Sequence, residues 1–392
     1  MTKRSFDSRT MSDAVLPPEI LDYIFDLLHN ERETLKQCCL VSRLWTPRIR
    51  KYLFAHIGYS SHTLKLWINT FPDPTNSPAP HVRILTIDCY PGDLEGASDW
   101  IRTFSCVVEL SLNGHPTLPF ALFHGLSHNL RSLKVHYIKF SCPDLFDFIC
   151  SCPLLENLIL TGEEMSEDNG NDFHGLQTSP PLTGCLMLIV RGGMGSAPRH
   201  LLNLPNGLRF RELVFLLILE KDLLWIRELV LKCSDTLECL DVKYKWFGTF
   251  SVLFWRCRYS PLFTGTLDPI DLSKATKLKD LIFRLKAMGP GRIIAMLETI
   301  TPEHRDLRQV SIHLPFKRIP PIGDVQSYLE DHIYEMWLQL DRLLVQFWEL
   351  RSIRPKVVVI DSSRGSTQEL KDQIGCLFPE ITARGIIDLV ED

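Results

Sequence analysis

The clearest candidate for chemistry in this sequence is a glycine-rich loop that follows the apolar run CLMLIV. The loop, residues 191–198 (RGGMGSAP), leads into a segment that could form a helix. A strand, a glycine loop and a helix N-terminus together favour phosphate binding, because backbone N–H groups converge on the anion there. Only Gly193 and Gly195 match such a motif, Pro198 stands where the third small residue belongs, and no Lys-Ser or Lys-Thr pair follows. A nucleotide-binding enzyme is therefore a minor alternative, and we predict neither catalysis nor a cofactor.

Histidine and cysteine also lack the spacing of a catalytic or metal site. None of the 12 cysteines forms a Cys-x-x-Cys pair, and none of the 13 histidines forms an i, i+4 pair with an intervening Glu. A Gly-x-Ser-x-Gly nucleophile elbow is missing as well. The N-terminal residues do not have the pattern of a signal peptide, so we expect reduced, mostly buried thiols. The sequence thus predicts no bound metal and a cytoplasmic and/or nuclear location.

The composition is that of an ordinary globular protein. Of the 392 residues, 45% are hydrophobic and 23% are charged, and the formal net charge is −4. This balance provides no electrostatic footprint for nucleic acid or for a membrane surface. No apolar run reaches the roughly 18 residues that a membrane helix needs. We therefore expect neither nucleic acid nor a membrane among the partners.

The N-terminal segment carries more apolar side chains than a small helical unit can bury. Pro17 and Pro18 favour the start of a first helix, and apolar residues follow them at helical spacing. A second helix is predicted over residues 32–40, and a third begins near Thr46. Three short helices bury too little surface to offset the entropy of the chain. The surplus apolar residues therefore indicate an interface with a partner.

A set of residues in this segment has a recognisable order and spacing: Leu16, Pro17, Glu19, Ile20, Ile24, Leu28, Leu35, Leu40, Val41, Ser42, Arg43, Trp45, Leu53 and Phe54. In these positions the segment resembles the F-box, the adaptor-binding module of cullin-based SCF ubiquitin ligases. The resemblance covers about a tenth of the chain. It implies binding to a Skp-type adaptor and, through it, to cullin and RING subunits. It also implies which residues contact the adaptor or frame that surface: Leu16, Pro17, Ile20, Ile24, Leu28, Leu40, Val41 and Trp45. The alternative is an ordinary helical hairpin with a tryptophan core.

An internal repeat dominates the rest of the chain. The phrase Leu-x-x-Leu-x-Leu recurs, with other apolar residues substituted in places, and its copies are mostly 23–30 residues apart. Their centres are residues 85, 110, 133, 158, 188, 213, 240, 281 and 310. This spacing is close to the leucine-rich-repeat period of about 20–29 residues, in which each unit supplies one short strand and a covering segment. We predict an irregular solenoid with covering helices over 143–150 and 221–233, the alternative being a non-repetitive α/β domain.

The repeat also predicts which side chains meet a partner. In such a strand the residues between the inward leucines face the concave surface of the solenoid. The candidates for contact with a target protein are Asp88, Asn113, Lys134, His136, Asp241, Lys243, Arg284 and His313. Their charges are mixed, which argues against a simple reader of phosphate or nucleic acid.

The predicted order of domains is a mobile tail (1–14), an F-box (15–58), a proline-rich connector (59–80), a leucine-rich-repeat-like solenoid (81–322) and a C-terminal region (323–392). In the last region, a long amphipathic helix over 325–350 is predicted to cap the solenoid, with a strand at 357–361 and a final helix over 367–376. The fold class is thus α/β: a three-helix F-box followed by a solenoid with a helical cap. This order resembles F-box proteins of mushroom-forming fungi.

The function implied by this resemblance is that of a substrate receptor in an SCF-type ubiquitin ligase. The F-box would bind the adaptor, and the repeats would bind a target protein that the sequence does not identify. The alternative is a leucine-rich-repeat scaffold whose helical segment serves an interaction outside any ligase.

Overall fold

The computed structural model describes residues 16–391 except for 90–93, 95–96, 115–119, 139–142, 163–180, 191–196, 205, 219–221, 245–269, 285–289, 317–330, 352 and 362–373. The predicted tail (1–14) and most of the glycine-rich loop lie outside these residues. The described chain has two parts, a small helical module and a long parallel β-sheet with helices along one side. The α/β class and the solenoid-like arrangement are confirmed.

The helical module consists of α1 (Pro18–Leu27), α2 (Arg32–Val41) and α3 (Thr46–Leu53). Proline stands at the start of α1 and of α3, where its missing N–H leaves no helical hydrogen bond unmade. The fully buried residues of the module are few. Around them pack partly buried side chains, including Trp45, whose indole meets the Phe25 ring edge to face with 5.9 Å between centroids. The buried set is Leu21, Phe25, Leu35 and Ile49.

The sheet contains twelve strands in the described residues, arranged in the order of the sequence, and every neighbouring pair is parallel. Parallel strands need a crossover, and each repeat supplies one. The strands are β1 (His56–Ser60), β2 (Ile84–Cys89), β3 (Glu109–Gly114), β4 (Ser132–Ile138), β5 (Asn157–Gly162), β6 (Leu182–Val190), β7 (Leu208–Ile218), β8 (Cys239–Tyr244), β9 (Asp280–Arg284), β10 (Gln309–Phe316), β11 (Arg354–Asp361) and β12 (Ile387–Glu391).

Short helices form most of the crossovers and cover one side of the sheet. Both predicted covering helices are present, over Pro143–Cys150 and Leu223–Cys233. The described crossovers contain α4 (Ser61–Thr70), α5 (Ser98–Thr103), the 3-10 helix Phe120–Asn129, α6 (Pro143–Cys150), α7 (Ala197–Leu202), α8 (Leu223–Cys233), α9 (Pro290–Leu297), α10 (Asp331–Arg351) and α11 (Pro379–Ala383).

Two rows of apolar side chains run along the helix side of the sheet and form its core. Strand register places Leu85 beside Leu110, and Leu110 beside Leu133, with each of the three fully buried. All nine predicted repeat copies coincide with strands, from β2 to β10. One centre is shifted, because Leu186, and not the predicted Leu188, lies in register between Leu158 and Leu213. The continuous apolar run of β6 explains this error, since it offers leucine at both positions.

The sheet begins earlier than the sequence predicted. Residues 59–80 were predicted to be a connector, but β1 pairs with β2, and α4 packs its Trp67 into the core of the sheet. Ser60 and Thr63 form a capping box that fixes the start of α4. The proline-rich stretch that follows forms two 3-10 turns, and Ala79 in the second turn is fully buried. This first unit has no leucine phrase, since Tyr59 takes the inward position beside Ile87.

The boundary between the two cores lies between two consecutive residues, Leu53 and Phe54. Leu53 packs against the core of the helical module, whereas Phe54 packs against the core of the sheet. Arg32 reaches across the module and donates a hydrogen bond from Nη2 to the carbonyl oxygen of Leu53 at 3.2 Å. The end of α3 is thereby fixed to α2 immediately before the chain enters the sheet.

The long C-terminal helix is present as α10, although residues 325–330 of its predicted span lie outside the described part. Two strands follow it, β11 over the predicted strand and β12, which the sequence analysis missed. Of the predicted final helix, residues 374–376 are described and are helical. Asp341 of α10 accepts hydrogen bonds from the backbone N–H groups of Glu380 (2.8 Å) and Ile381 (3.1 Å) in α11. The role of α10 as a cap stays a prediction. In the described part of the chain, no helix combines the length and apolar character required to cross a membrane.

Candidate interaction surfaces

The eight residues predicted to meet an adaptor fall into two groups in the structure. Five have exposed side chains, with Leu40 80% exposed and Val41 72% exposed. The other three are partly buried and pack against the core of the helical module. The exposed group is Leu16, Pro17, Ile20, Leu40 and Val41, and the packed group is Ile24, Leu28 and Trp45. The packed residues therefore support the shape of the module, and the exposed ones offer apolar surface.

Three further apolar side chains of the module are exposed, and the prediction did not include them. Tyr23 is 63% exposed, Leu27 is 65% exposed and Leu44 is 76% exposed. Ile20, Tyr23 and Leu27 follow the spacing of one side of a helix, opposite the buried Leu21 and Phe25. For Tyr23 and Leu27 the sequence does indicate exposure, because the apolar stripe of α1 is wider than one helical face.

The concentration of exposed apolar surface is specific to the module. Among the described residues, twelve large hydrophobic side chains are exposed, and seven of these lie between residues 16 and 44. We call these seven the apolar surface of the module: Leu16, Ile20, Tyr23, Leu27, Leu40, Val41 and Leu44. Scattered exposed leucines are normal on proteins, but a cluster within so short a segment indicates an interaction site.

Polar contacts hold the helices that carry this surface. Arg48 of α3 forms an ion pair with Asp22 of α1 at 2.6 Å and donates a second hydrogen bond to the carbonyl oxygen of Pro18 at 3.1 Å. Tyr52 of α3 donates a hydrogen bond to Asp26 of α1. The contacts with Asp22 and Asp26 tie two turns of α1 to α3, so α1, which carries Ile20, Tyr23 and Leu27, is held in place by α3.

The eight predicted partner-contact residues all lie on the face of the sheet away from the leucine rows and the helices, which we call the concave face. On this face each strand presents alternate residues in three register rows. Lys134 and Asp241 lie in the middle row. The other six lie in the third row, where Asp88, Asn113 and His136 are neighbours on β2–β4, and Lys243, Arg284 and His313 are neighbours on β8–β10.

The two predicted groups are separated by an apolar stretch on β5–β7. In the middle row Ile159, Met187 and Val214 are adjacent, and in the third row Ile189 is adjacent to Leu216. Val214 is 4% exposed and the other four are partly buried. The sequence does not reveal this stretch, because strands that are apolar on both faces show no alternation of apolar and polar residues to identify the face away from the helices.

At the C-terminal end of the concave face, Asp241 and Arg284 form a close ion pair. The Arg284 guanidinium donates from Nε to Oδ1 and Oδ2, both at 2.9 Å, and from Nη2 to Oδ2 at 2.7 Å. The Asp241 side chain is 6% exposed, whereas that of Arg284 is 38% exposed. The hydrogen bonds that Arg284 donates to Asp241 raise the pKa of Arg284. This pair gives the end of the sheet a fixed, partly accessible cation.

His313 lies beside this pair in the register. Its Nδ1 is buried and has no hydrogen-bond partner among the described residues. Burial, followed by the charge of Arg284, lowers the pKa of His313 below its usual 6.5. At neutral pH the ring is therefore uncharged. At the other end, Lys134 forms an ion pair with Glu109 at 2.5 Å, and burial together with the charge of Lys134 lowers the pKa of His136.

Four cysteine side chains between residues 152 and 239 are protonated at neutral pH. Burial raises the pKa of Cys152, Cys185 and Cys239 to about 12 and that of Cys233 to about 11. A thiol in this state is a weak nucleophile and a weak metal ligand. Among the described residues, no group of three or more His, Cys, Asp or Glu side chains could hold a metal ion.

Comparison with known proteins gives no family for this chain. No protein-family model matches the chain, and no curated protein matches it. The two surfaces of the structure, one apolar and helical and the other on the concave face of the sheet, are thus the basis for any functional proposal.

Proposed function

We propose that this protein is a substrate receptor of an SCF-type ubiquitin ligase. In this proposal residues 16–53 are an F-box that binds a Skp-type adaptor, and the adaptor links the chain to cullin and RING subunits. The concave face of the sheet binds the target protein, and α10 with the strands after it closes the end of the solenoid. The chain performs no chemistry of its own. It accelerates ubiquitin transfer by holding the target close to the ubiquitin-loaded subunit.

The observation that carries this proposal is the apolar surface of the module. All seven side chains lie outside the core of the module, and five of them are leucine or isoleucine. Two of these five, Leu40 and Leu44, are more than three-quarters exposed. Burying one such side chain contributes roughly 1.5–3 kcal/mol. A module with so few buried residues would gain stability if these side chains were removed from water. An adaptor that covers them would stabilise both the complex and the module.

The agreement between sequence and exposure supports the choice of partner. Of the eight residues that resemblance to the F-box selects, five are exposed and three pack against the core of the module. The exposed five are Leu16, Pro17, Ile20, Leu40 and Val41. A hairpin with an ordinary tryptophan core would bury the apolar residues next to that core. Here Trp45 packs against Phe25, while the neighbouring Leu44 remains exposed. The pattern is that of a module with a core on one side and an interface on the other.

The test measures binding of the full-length protein to a purified fungal Skp-type adaptor by isothermal titration calorimetry. Ile20→Asp combined with Leu40→Asp places two charges on the apolar surface without touching the core. We expect at least about a hundredfold loss of affinity, because apolar anchors at the centre of an interface carry most of its binding energy. The matched control is Leu154→Asp with Leu224→Asp, two leucines outside the module that are 45% and 52% exposed. This control variant should bind the adaptor like the wild type.

If the wild-type protein did not bind the adaptor although circular dichroism showed it to be folded, the ligase proposal would be wrong. The leucine-rich-repeat scaffold would then take its place, because the concave face remains available for a partner. Equal loss in the control variant would show that the effect came from destabilisation of the chain.

A further inference from the structure

The charges of the concave face are distributed unevenly along the sheet. On β8–β11 the three rows contain four basic residues and two acidic ones, a net charge of +2 when His313 is neutral. On β2–β4 the same rows contain two acidic residues and one basic residue. The whole chain, in contrast, has a net charge of −4. The basic end consists of Lys243, Arg284, Arg354 and Lys356, with Asp241 and Asp280 as the acidic residues.

The apolar stretch on β5–β7 lies next to this basic end. Met187 and Ile189 belong to β6, whereas Arg284 belongs to β9 and Lys356 to β11. Neighbouring strands are about 4.8 Å apart, so β6 and β9–β10 are separated by roughly 14–19 Å. An extended peptide rises about 3.3 Å per residue and crosses this distance in roughly four to six residues. One short segment of a partner therefore reaches both regions.

We propose that the concave face binds an extended segment of the target protein that places apolar side chains on β5–β7 and carboxylate side chains on β8–β11. This inference rests on the proposed function, because the occupant is the target that the ligase would modify. The charge gradient also sets the direction of the segment along the sheet, with its acidic end toward β11.

The arrangement of the basic groups favours carboxylates over a phosphate. A phosphate dianion is best held by a guanidinium fork or by several donors that converge on one point. Arg284 already uses Nε and Nη2 for Asp241. Lys243 and Lys356 stand in different rows and are three strands apart. The basic groups of this end thus lie at separate positions, and separate positions suit acidic side chains at different places along one peptide.

The test selects binders to the immobilised full-length protein from a random dodecamer library displayed on phage. We expect enrichment of peptides with Asp or Glu about four to six residues from a leucine, isoleucine or methionine. A synthetic peptide of the selected sequence, labelled with fluorescein, then gives dissociation constants by fluorescence anisotropy. Enrichment of basic peptides, or of none, would overturn the proposal.

Two double variants identify the basic end as the site. Lys243→Gln with Lys356→Gln removes two charges and keeps a polar, unbranched side chain at each position, so the selected peptide should bind about three- to tenfold more weakly. Replacing the peptide's acidic residues by their amides should weaken binding to the wild type by a similar factor, and should weaken binding to the variant no further. Arg131→Gln with Glu156→Gln neutralises an exposed ion pair that lies just before β4 and β5, outside the three register rows, and should leave the dissociation constant unchanged.

Two outcomes count against the carboxylate preference. A phosphoserine peptide that binds more than tenfold tighter than its glutamate counterpart would replace carboxylate by phosphate. A loss of affinity in the Arg131→Gln, Glu156→Gln variant equal to that in the lysine variant would place the peptide elsewhere. Adaptor binding, measured on the same variants, should not change. The peptide proposal and the adaptor proposal therefore fail independently.

Discussion

The helical module and the sheet use similar apolar residues in opposite ways. The module encloses four fully buried side chains and exposes seven large apolar ones, whereas the sheet has a single continuous core with only scattered exposed leucines. In the sheet, each unit is covered by the next, so leucine finds a neighbour inside the same chain. In the module, no further unit of the described chain covers the exposed apolar side chains of α1 and α2. The comparison shows that the same composition builds a core where neighbours repeat and an interface where they do not.

The most severe test of this difference between the module and the sheet is to remove one large core side chain from each. Phe25→Ala in the module and Leu240→Ala in the sheet each empty a fully buried position. We expect losses of about 3–5 and 2–5 kcal/mol respectively. Because the two cores are separate, Phe25→Ala should unfold the module while the sheet stays folded, and binding of the proposed adaptor should weaken, because part of its binding free energy is spent on refolding the module. Hydrogen exchange resolved by segment measures both effects.

The control for this pair is the adaptor itself. Saturating adaptor should restore protection of α1–α3 in Phe25→Ala and should do nothing for Leu240→Ala, because a ligand stabilises only the part that binds it. If Phe25→Ala also exposed the strands, the module and the sheet would share one cooperative unit and the comparison would fail.

The second prediction contrasts the ion pairs of the two regions. Arg284→Ala leaves Asp241 buried without its partner, and we expect a loss of about 2–4 kcal/mol of unfolding free energy. Arg48→Ala breaks a pair whose side chains are 34% and 40% exposed, and we expect about 1 kcal/mol or less. Urea denaturation measures both. Asp241→Asn with Arg284→Gln should recover much of the loss, and no recovery would show that packing of the arginine stem matters more than charge.

The smallest expected effect is a difference in acid sensitivity. The pKa of His136 and of His313 is lowered in the folded sheet, first by burial. The unfolded chain therefore binds more protons than the folded chain as the pH falls below 6.5, and the sheet loses stability in that range. Groups that face His313 are Arg284, Asp241 and Lys356. His313→Gln should reduce the slope of stability against pH, and melting temperatures between pH 7.5 and 5 measure it.

In the module, the resolved pKa shifts belong to Cys39, Lys51 and Tyr52, which titrate in alkaline solution. Its protection against hydrogen exchange should therefore stay constant over the same pH range. A module that melted before the sheet on acidification would contradict the prediction.

Sequence reasoning reached the repeating part of the fold because leucine at fixed spacing is a local signal. The leucine spacing predicts β2–β10 but neither β1 nor β12, and in β1 the inward position belongs to Tyr59 in place of leucine. Resemblance selects Ile20 of α1 and Leu40 and Val41 of α2, which are exposed, but not the exposed Tyr23 and Leu27 of α1. The Asp241–Arg284 pair joins residues 43 positions apart, and no local pattern reports such a contact. The apolar stretch on the concave face was also invisible until strand register showed which residues are neighbours.

The sequential order of the strands has a consequence for synthesis on the ribosome. Each strand from β2 onward pairs with the strand made just before it, and no pairing waits for a distant part of the chain. Most of the loops that must close are short, and low contact order favours rapid folding. Each unit can therefore add to the growing sheet as it emerges from the exit tunnel. The helical module is made before the sheet, so under the proposed function it can bind an adaptor while the last strands are still being translated.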